Sequence, residues 1–367
     1  MNTTIQLPFY VKFAFLAIGV FACVSAMYFG QQIIVPLIFA TIFSILLNPL
    51  VNYLVQKKIN RIISISIAVL FAILFVGCLF YFLSTQLTLF SETYPALKTK
   101  FLVLSTQIIH WVSVNFNIRT SKINLWISQT QNDAINNMGG AIGQTISAIN
   151  GILIIAVLIP VYLFMILYYK NLLLEFIRRL FNSVHHVAVF EILLNSKKII
   201  QSYLFGLIIE AAIIATLNSL GLLILGIDYA IILGVTGALL NVIPYIGGVI
   251  AIALPMIIAF VTKDSSSYAI FVLGLYLTIQ FIDNHFIIPQ IVASKVKINA
   301  LVSVVVVLAG GAIWGLPGMF LSIPLTAIIK VIFDHIETLK PWGFLLGNTT
   351  TTSKLKFDFI KRKNKIK

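Results

Sequence analysis

Glu210 and Asp283 interrupt stretches of sequence that are otherwise almost wholly apolar. A charged side chain at the centre of a bilayer costs about 2.5 to 3.5 kcal/mol on insertion scales, so each requires a partner, a wet cavity or a function. Glu210 stands about seven residues, or ~10 Å, from the basic end of its apolar run, and Asp283 about five residues, or ~8 Å, from the end of its own. That puts the two at a similar depth. Asp283 belongs to the polar run Gln280-Phe281-Ile282-Asp283-Asn284-His285. Carboxylates beside an imidazole whose charge changes near neutral pH can bind or relay a cation or a proton, so Glu210, Asp283, Asn284 and His285 are the candidate ion-coupling set. The same groups can instead tie two helices together through hydrogen bonds.

Two further constellations concern the backbone. The apolar stretch 228 to 262 is broken at Asn241-Val242-Ile243-Pro244-Tyr245-Ile246-Gly247-Gly248, and the stretch 299 to 333 at Gly310-Gly311-Ala312-Ile313-Trp314-Gly315-Leu316-Pro317-Gly318. Breaking a helix inside a membrane frees carbonyl and N–H groups that protein, water or substrate must satisfy. The tip formed by Asn241, Pro244, Tyr245, Gly247 and Gly248 is therefore the candidate substrate-binding site. The second break carries almost no polar side chain. Gly310, Gly311, Gly315 and Gly318 permit tight helix contact there, while Pro317 and Pro324 interrupt the ladder, which suits a packing or moving surface.

These groups must be carried by membrane-spanning helices. Of the 367 residues, 60% are hydrophobic and 10% charged, against about 25% charged in a soluble domain. With a mean hydropathy of +1.03, the chain reads as an all-α, polytopic helical membrane protein. Six apolar runs, at roughly 13–30, 32–55, 62–83, 151–169, 203–226 and 267–288, are each long enough to span. Asp228 to Leu240 is too short for a full span, so the first broken stretch reads as a re-entrant dip. Two hairpins, 228–262 and 299–333, would then enter from opposite faces, an arrangement that points to a transporter site. Two plain pairs of Pro-kinked spans are the alternative. The organisation expected is an N-terminal three-span region (1–90), a polar extracytoplasmic helical segment (91–149), a fourth span with an interfacial helix (150–200), a transport core (201–337) and a basic tail (338–367).

The formal charge of +14 reads as topology. If the turn holding Lys57, Lys58 and Arg61 is cytoplasmic, 20 of the 25 basic residues fall on that side and both termini lie inside. Lys and Arg set orientation in this way. Ala22-Cys23 is a poor match to a cleavage site, so the first run is expected to be retained. Leu97, Phe101, Leu104, Ile108 and Trp111 form a short heptad stripe. Glu175 to His186 reads as one amphipathic helix on the cytoplasmic interface. Adjacent His185 and His186 diverge on a helix and lack an i, i+4 partner, so no metal site follows. No catalytic or cofactor motif is visible, Cys23 and Cys78 form no C-x-x-C pair, and nucleic-acid binding lacks a folded module. An enzyme is not expected. The lipid bilayer is the first partner, and the tail from Lys354 to Lys367 suits anionic headgroups.

Several motifs in order resemble the autoinducer-2 exporter family of bacterial inner-membrane proteins. They are Leu47-Asn48-Pro49-Leu50; Gly226-Ile227-Asp228-Tyr229-Ala230 with Gly234 and Gly237; Leu240-Asn241-Val242-Ile243-Pro244-Tyr245-Ile246-Gly247; Asp283-Asn284 with Pro289; and Gly310 to Pro324. Two places depart from the family's pattern. Phe205-Gly206-Leu207 stands where members often carry Gly-Gln, and Pro289-Gln290-Ile291-Val292-Ala293 where P-K-I-V-G is usual. The resemblance implies a homo-oligomeric transporter, described as pentameric in the family, that moves small polar solutes outward across the inner membrane. Some relatives behave as exporters of autoinducer-2, others as sodium or lithium/proton antiporters, and both cargoes stay open. A non-transporting oligomeric scaffold is the reading from another class.

Overall fold

The computed structural model describes residues 8–79, 157–243, 247–263, 267–293 and 296–347, together with 81, 82, 84, 85, 99 and 265. The heptad stripe from Leu97 to Trp111, the tip residues Pro244 and Tyr245, and the tail from Lys354 lie outside these residues. Among the described residues the chain is helical throughout, apart from one isolated β-bridge between Ile298 and Gly347.

Helix α1 (Phe9–Phe29) has 21 residues and buries none of them. At 1.5 Å per residue it is about as long as the ~30 Å hydrocarbon core is thick. Its exposed Phe13, Phe21 and Phe29 suit lipid rather than water. Helix α2 (Gln31–Gln56) contains Pro36 and Pro49. Proline has no N–H, so Pro49 leaves the Ile45 carbonyl without its ladder donor. The side chain of Gln201, from a distant helix, donates to that carbonyl at 2.7 Å. The proline thus creates an acceptor, and the fold fills it.

Helix α3 (Arg61–Leu79) and helix α4 (Val157–Tyr168) pack on α2 through Ala40, Val51, Ile65, Ala68, Leu163 and Leu167. Arg61 donates to the Leu167 carbonyl at 3.1 Å, and Lys170 to Asn48 Oδ1 at 3.0 Å, closing the basic end of this group. Helix α5 (Lys170–Leu180) turns off α4 by 69°. Glu175 pairs with Arg178 at 3.3 Å and Arg179 at 3.0 Å on its polar face. The helix is shorter than the amphipathic pattern predicts. Phe181 and Asn182 are extended, His185 lies in a 3₁₀ turn, and His186 opens the next helix. Charge periodicity continues across that break because it records only which residues are polar.

Helix α6 (His186–Ile224) is 39 residues long, or ~58 Å, nearly twice the hydrocarbon thickness. Its first turns therefore project beyond the bilayer. A turn with Gly226 and Tyr229 at positive φ leads into α7 (Ala230–Asn241), whose 12 residues reach only ~18 Å. Helix α8 (Gly247–Thr262) returns beside it, and α9 (Ser267–Ile282) follows. The α7–α8 arm runs back from the Ile224 end of α6, and Asn241 at the end of α7 reaches Asp283. Two π-helical turns, Asp283–Ile287 and Pro289–Ala293, continue α9. Pro289 again removes a ladder donor, and widened turns of this kind are frequent at functional positions.

The second broken stretch is α10 (Ala300–His335), reversed at Gly315, whose φ of 63° and ψ of −144° lie in a region that only glycine occupies freely. Residues twelve apart on a straight helix are ~18 Å apart, yet a methyl group at Gly310 would meet the Ser322 hydroxyl at 2.0 Å. Glycine at 310 and 318 lets the two arms touch backbone to backbone, and Gly311 lies against Met319. Pro324 is buried in the returning arm and Pro317 starts it. The base of this hairpin meets the projecting start of α6, where His335 Nε2 lies 3.9 Å from Glu191. Helix α11 (Lys340–Leu346) closes the base, with Asn299 donating to the Leu345 carbonyl. The α10 hairpin therefore enters from the His186 end of α6 and the α7–α8 hairpin from the opposite end, as predicted. Val35, Ile42, Ile200, Tyr203, Trp314 and Leu321 pack the core between α2, α6 and α10.

Candidate transport site

The tip of the α7–α8 hairpin reaches the polar end of α9. Asn241, the last residue of α7, donates from Nδ2 to Asp283 Oδ2 at 2.9 Å. Asp283 is 0% exposed, and its other oxygen, Oδ1, has no hydrogen-bond partner among the described residues. Glu210, on the buried face of α6 at 5% exposure, has Asp283 as its electrostatic neighbour. Among the described residues neither carboxylate forms an ion pair. Three elements thus meet at one point, bringing two carboxylates and a carboxamide together.

Gly248 lies at the same point. A methyl group there would stand 2.7 Å from Gln280 Oε1 and 3.4 Å from Asn241 Oδ1, so the two amide oxygens converge on the start of α8. Gly247 sits against the backbone of Leu240 and Asn241, closing the tip. The structure therefore unites Asn241, Gly247, Gly248, Glu210 and Asp283. It does not bring in the other two members of the predicted set. Asn284 is exposed and faces Gln280, and His285 is exposed, stacked on Phe281 at 4.2 Å with its Nδ1 2.9 Å from the Phe281 carbonyl. Positions one and two after a buried residue point elsewhere on a helix, which adjacency in sequence conceals. Gly310, Gly311, Gly315 and Gly318 hold the second hairpin together, away from the carboxylates.

Sequence reasoning that weighs only ionisable groups passes over Asn218 and Tyr276. Both are buried, at 2% and 4% exposure, and Asn218 Oδ1 and the Tyr276 hydroxyl lack partners among the described residues. An amide in the middle of an apolar span was the available signal. A separate cavity of about 410 Å³, lined by Lys297, Lys330, Asp334, Lys340 and Phe344, lies at the base of α10, away from this site.

Opposed hairpins, one of them ending at buried carboxylates, within a set of apolar helices long enough to span, are the architecture of a multi-span helical membrane protein. The chain belongs to the AI-2E transporter family, whose sequence model matches residues 15–338. It is 24% identical over 234 residues to YueF of Bacillus subtilis, named provisionally as a transport protein, covering 64% of this chain and 63% of YueF. It is 29% identical over 138 residues to YrrI of the same organism, provisionally another transport protein, over 38% of each. To PerM of Escherichia coli, provisionally a permease, it is 26% identical over 191 residues, covering 51% of this chain and 54% of PerM. The matched stretches span less than two thirds of each of these relatives.

Proposed function

We propose that this protein is a secondary transporter that exports a small polar molecule, of the autoinducer-2-like class that the family resemblance implies, by alternating access around its two hairpins. The observation that carries this reading is the hydrogen bond from Asn241 to the fully buried Asp283. It couples a half-helix element to a carboxylate that can gain or lose a cation or proton, and Glu210 supplies a second charge beside it. Loading Asp283 would compete with the Asn241 contact and release the hairpin tip. Alternating access then follows from rocking one hairpin against the other around a fixed site. The protein acts as a homo-oligomer in the inner membrane with both termini cytoplasmic. Family resemblance suggests a pentamer, and the wholly exposed α1 offers apolar surface for such packing.

Purified full-length protein in proteoliposomes should carry solute or cation flux that depends on a proton gradient. Asp283→Asn should abolish this dependence while leaving the melting temperature and oligomer unchanged. Undiminished coupled flux in that variant overturns the assignment. A sodium or lithium/proton antiporter is the second reading, favoured by the pairing of two buried carboxylates, Glu210 and Asp283. Fluorescence quenching of a pH probe on adding sodium or lithium separates the two, since solute export without cation exchange leaves the probe silent.

A further inference from the structure

Asn218 and Tyr276 meet across α7. A methyl group at Gly237 would stand 3.2 Å from the Tyr276 hydroxyl and 3.4 Å from Asn218 Nδ2, so both side chains reach the same point from α6 and α9. Each keeps an enclosed oxygen without a hydrogen-bond partner among the described residues. Burying such groups without a hydrogen bond costs about 1 to 3 kcal/mol each. Asn218 brings its Nδ2 and Tyr276 its hydroxyl to one glycine, although purely apolar residues would pack there without that cost.

This polar level is separate from the carboxylates. Ile214, Ala238 and Ile279 form a buried apolar cluster between them. On α6 the order is Glu210, Ile214, Asn218; on α9 it is Asp283, Ile279, Tyr276; on α7 it is Asn241, Ala238, Gly237. Helices α6 and α9 therefore both run polar, apolar, polar, with the outer levels about 11 Å apart, while α7 runs from Asn241 past Ala238 to the close approach at Gly237. An apolar constriction of this kind bars ions and water until it opens.

We infer that Asn218 and Tyr276, at Gly237, form a second binding station that takes a small uncharged molecule bearing hydroxyl or carbonyl groups, walled off from the carboxylates by Ile214, Ala238 and Ile279. The chemistry sets the class. Asn218 Oδ1 accepts a hydrogen bond from a solute hydroxyl, and the Tyr276 hydroxyl donates to a solute oxygen. A hard cation wants six or more oxygens, which this level does not supply, and a charged solute would be buried there without a counter-charge. Cation chemistry belongs instead to the carboxylate level. The inference rests on the transporter reading and divides it into a cargo station and a coupling station.

Thermal shift of purified full-length protein tests the division. The probes are glycerol, dihydroxyacetone and ribose in one series, and sodium and lithium chloride in the other, since a ligand that binds only the folded state raises the melting temperature. At least one uncharged probe should stabilise the wild-type protein. Tyr276→Phe, which removes only the hydroxyl, and Asn218→Leu should each raise its half-saturating concentration about tenfold, while Thr216→Ala, on the exposed face of α6, leaves it unchanged. The inference is overturned if no uncharged probe stabilises the wild type, if the stabilisation survives both substitutions, or if Tyr276→Phe removes a sodium or lithium shift instead. Absence of any flux in proteoliposomes, with the thermal pattern intact, counts against the transporter reading and leaves the station standing.

Discussion

Single residues carry two kinds of information here. Asp283 is informative because its cost in a bilayer demands compensation, and the structure shows that compensation as one amide from Asn241. Asn218 and Tyr276 are informative because theirs is missing. Outside the bilayer, Lys170 at the start of α5 is held below its ordinary pKa of 10.5, first by burial and then by the charges of Lys197 and Arg61. An unfolded chain then binds more protons than the folded one between the two pKa values, so stability rises with pH through that window. Lys170→Met should flatten this rise in melting temperature across the alkaline range below 10.5. A slope unchanged from wild type would show that another group sets it. Glu175 is held below the usual carboxylate range by its hydrogen bond from Arg179, a local feature of an exposed helix face.

Among the elements, broken helices are the recurring device, and each break leaves a backbone group to be satisfied. In α2 the Ile45 carbonyl is freed by Pro49 and taken by Gln201 of α6. Gln201→Leu should therefore destabilise the fold by about 1 to 3 kcal/mol, the cost of an orphaned buried acceptor. Pro49→Ala restores the ladder donor, so the same Gln201→Leu change made in that background should cost much less. Equal losses in both backgrounds, read by thermal denaturation in detergent, would show that Gln201 acts through packing instead. The two hairpins use different means to turn. Gly315 supplies a backbone conformation closed to other residues, and the glycines at 310 and 318 supply the close approach. The α7–α8 tip turns where Gly247 lies against Leu240 and leaves its polar side chains to α9.

For the whole molecule, two hairpins entering from opposite ends of α6 predict a sidedness that labelling can read. In a Cys23→Ser, Cys78→Ser background, cysteines at Lys58 and Lys340 should react with an impermeant maleimide from one face of the membrane, and a cysteine at Ser265 from the other. Reaction of Ser265→Cys from the same face as Lys58→Cys would overturn the opposed arrangement. Much of this architecture was legible before any coordinates. Apolar length gives the spans, Gly and Pro mark the breaks at 241–248 and 310–318, and a bilayer makes Glu210 and Asp283 conspicuous, because all three depend on local composition. Composition cannot say which way a side chain points or what a distant helix brings. Only the packed helices joined Asn241 to Asp283, turned His285 out of the site, ended the amphipathic helix at Leu180 and set Asn218 against Tyr276. Each of those outcomes depends on where residues far apart in the chain come to lie, and that is decided by packing rather than by sequence spacing.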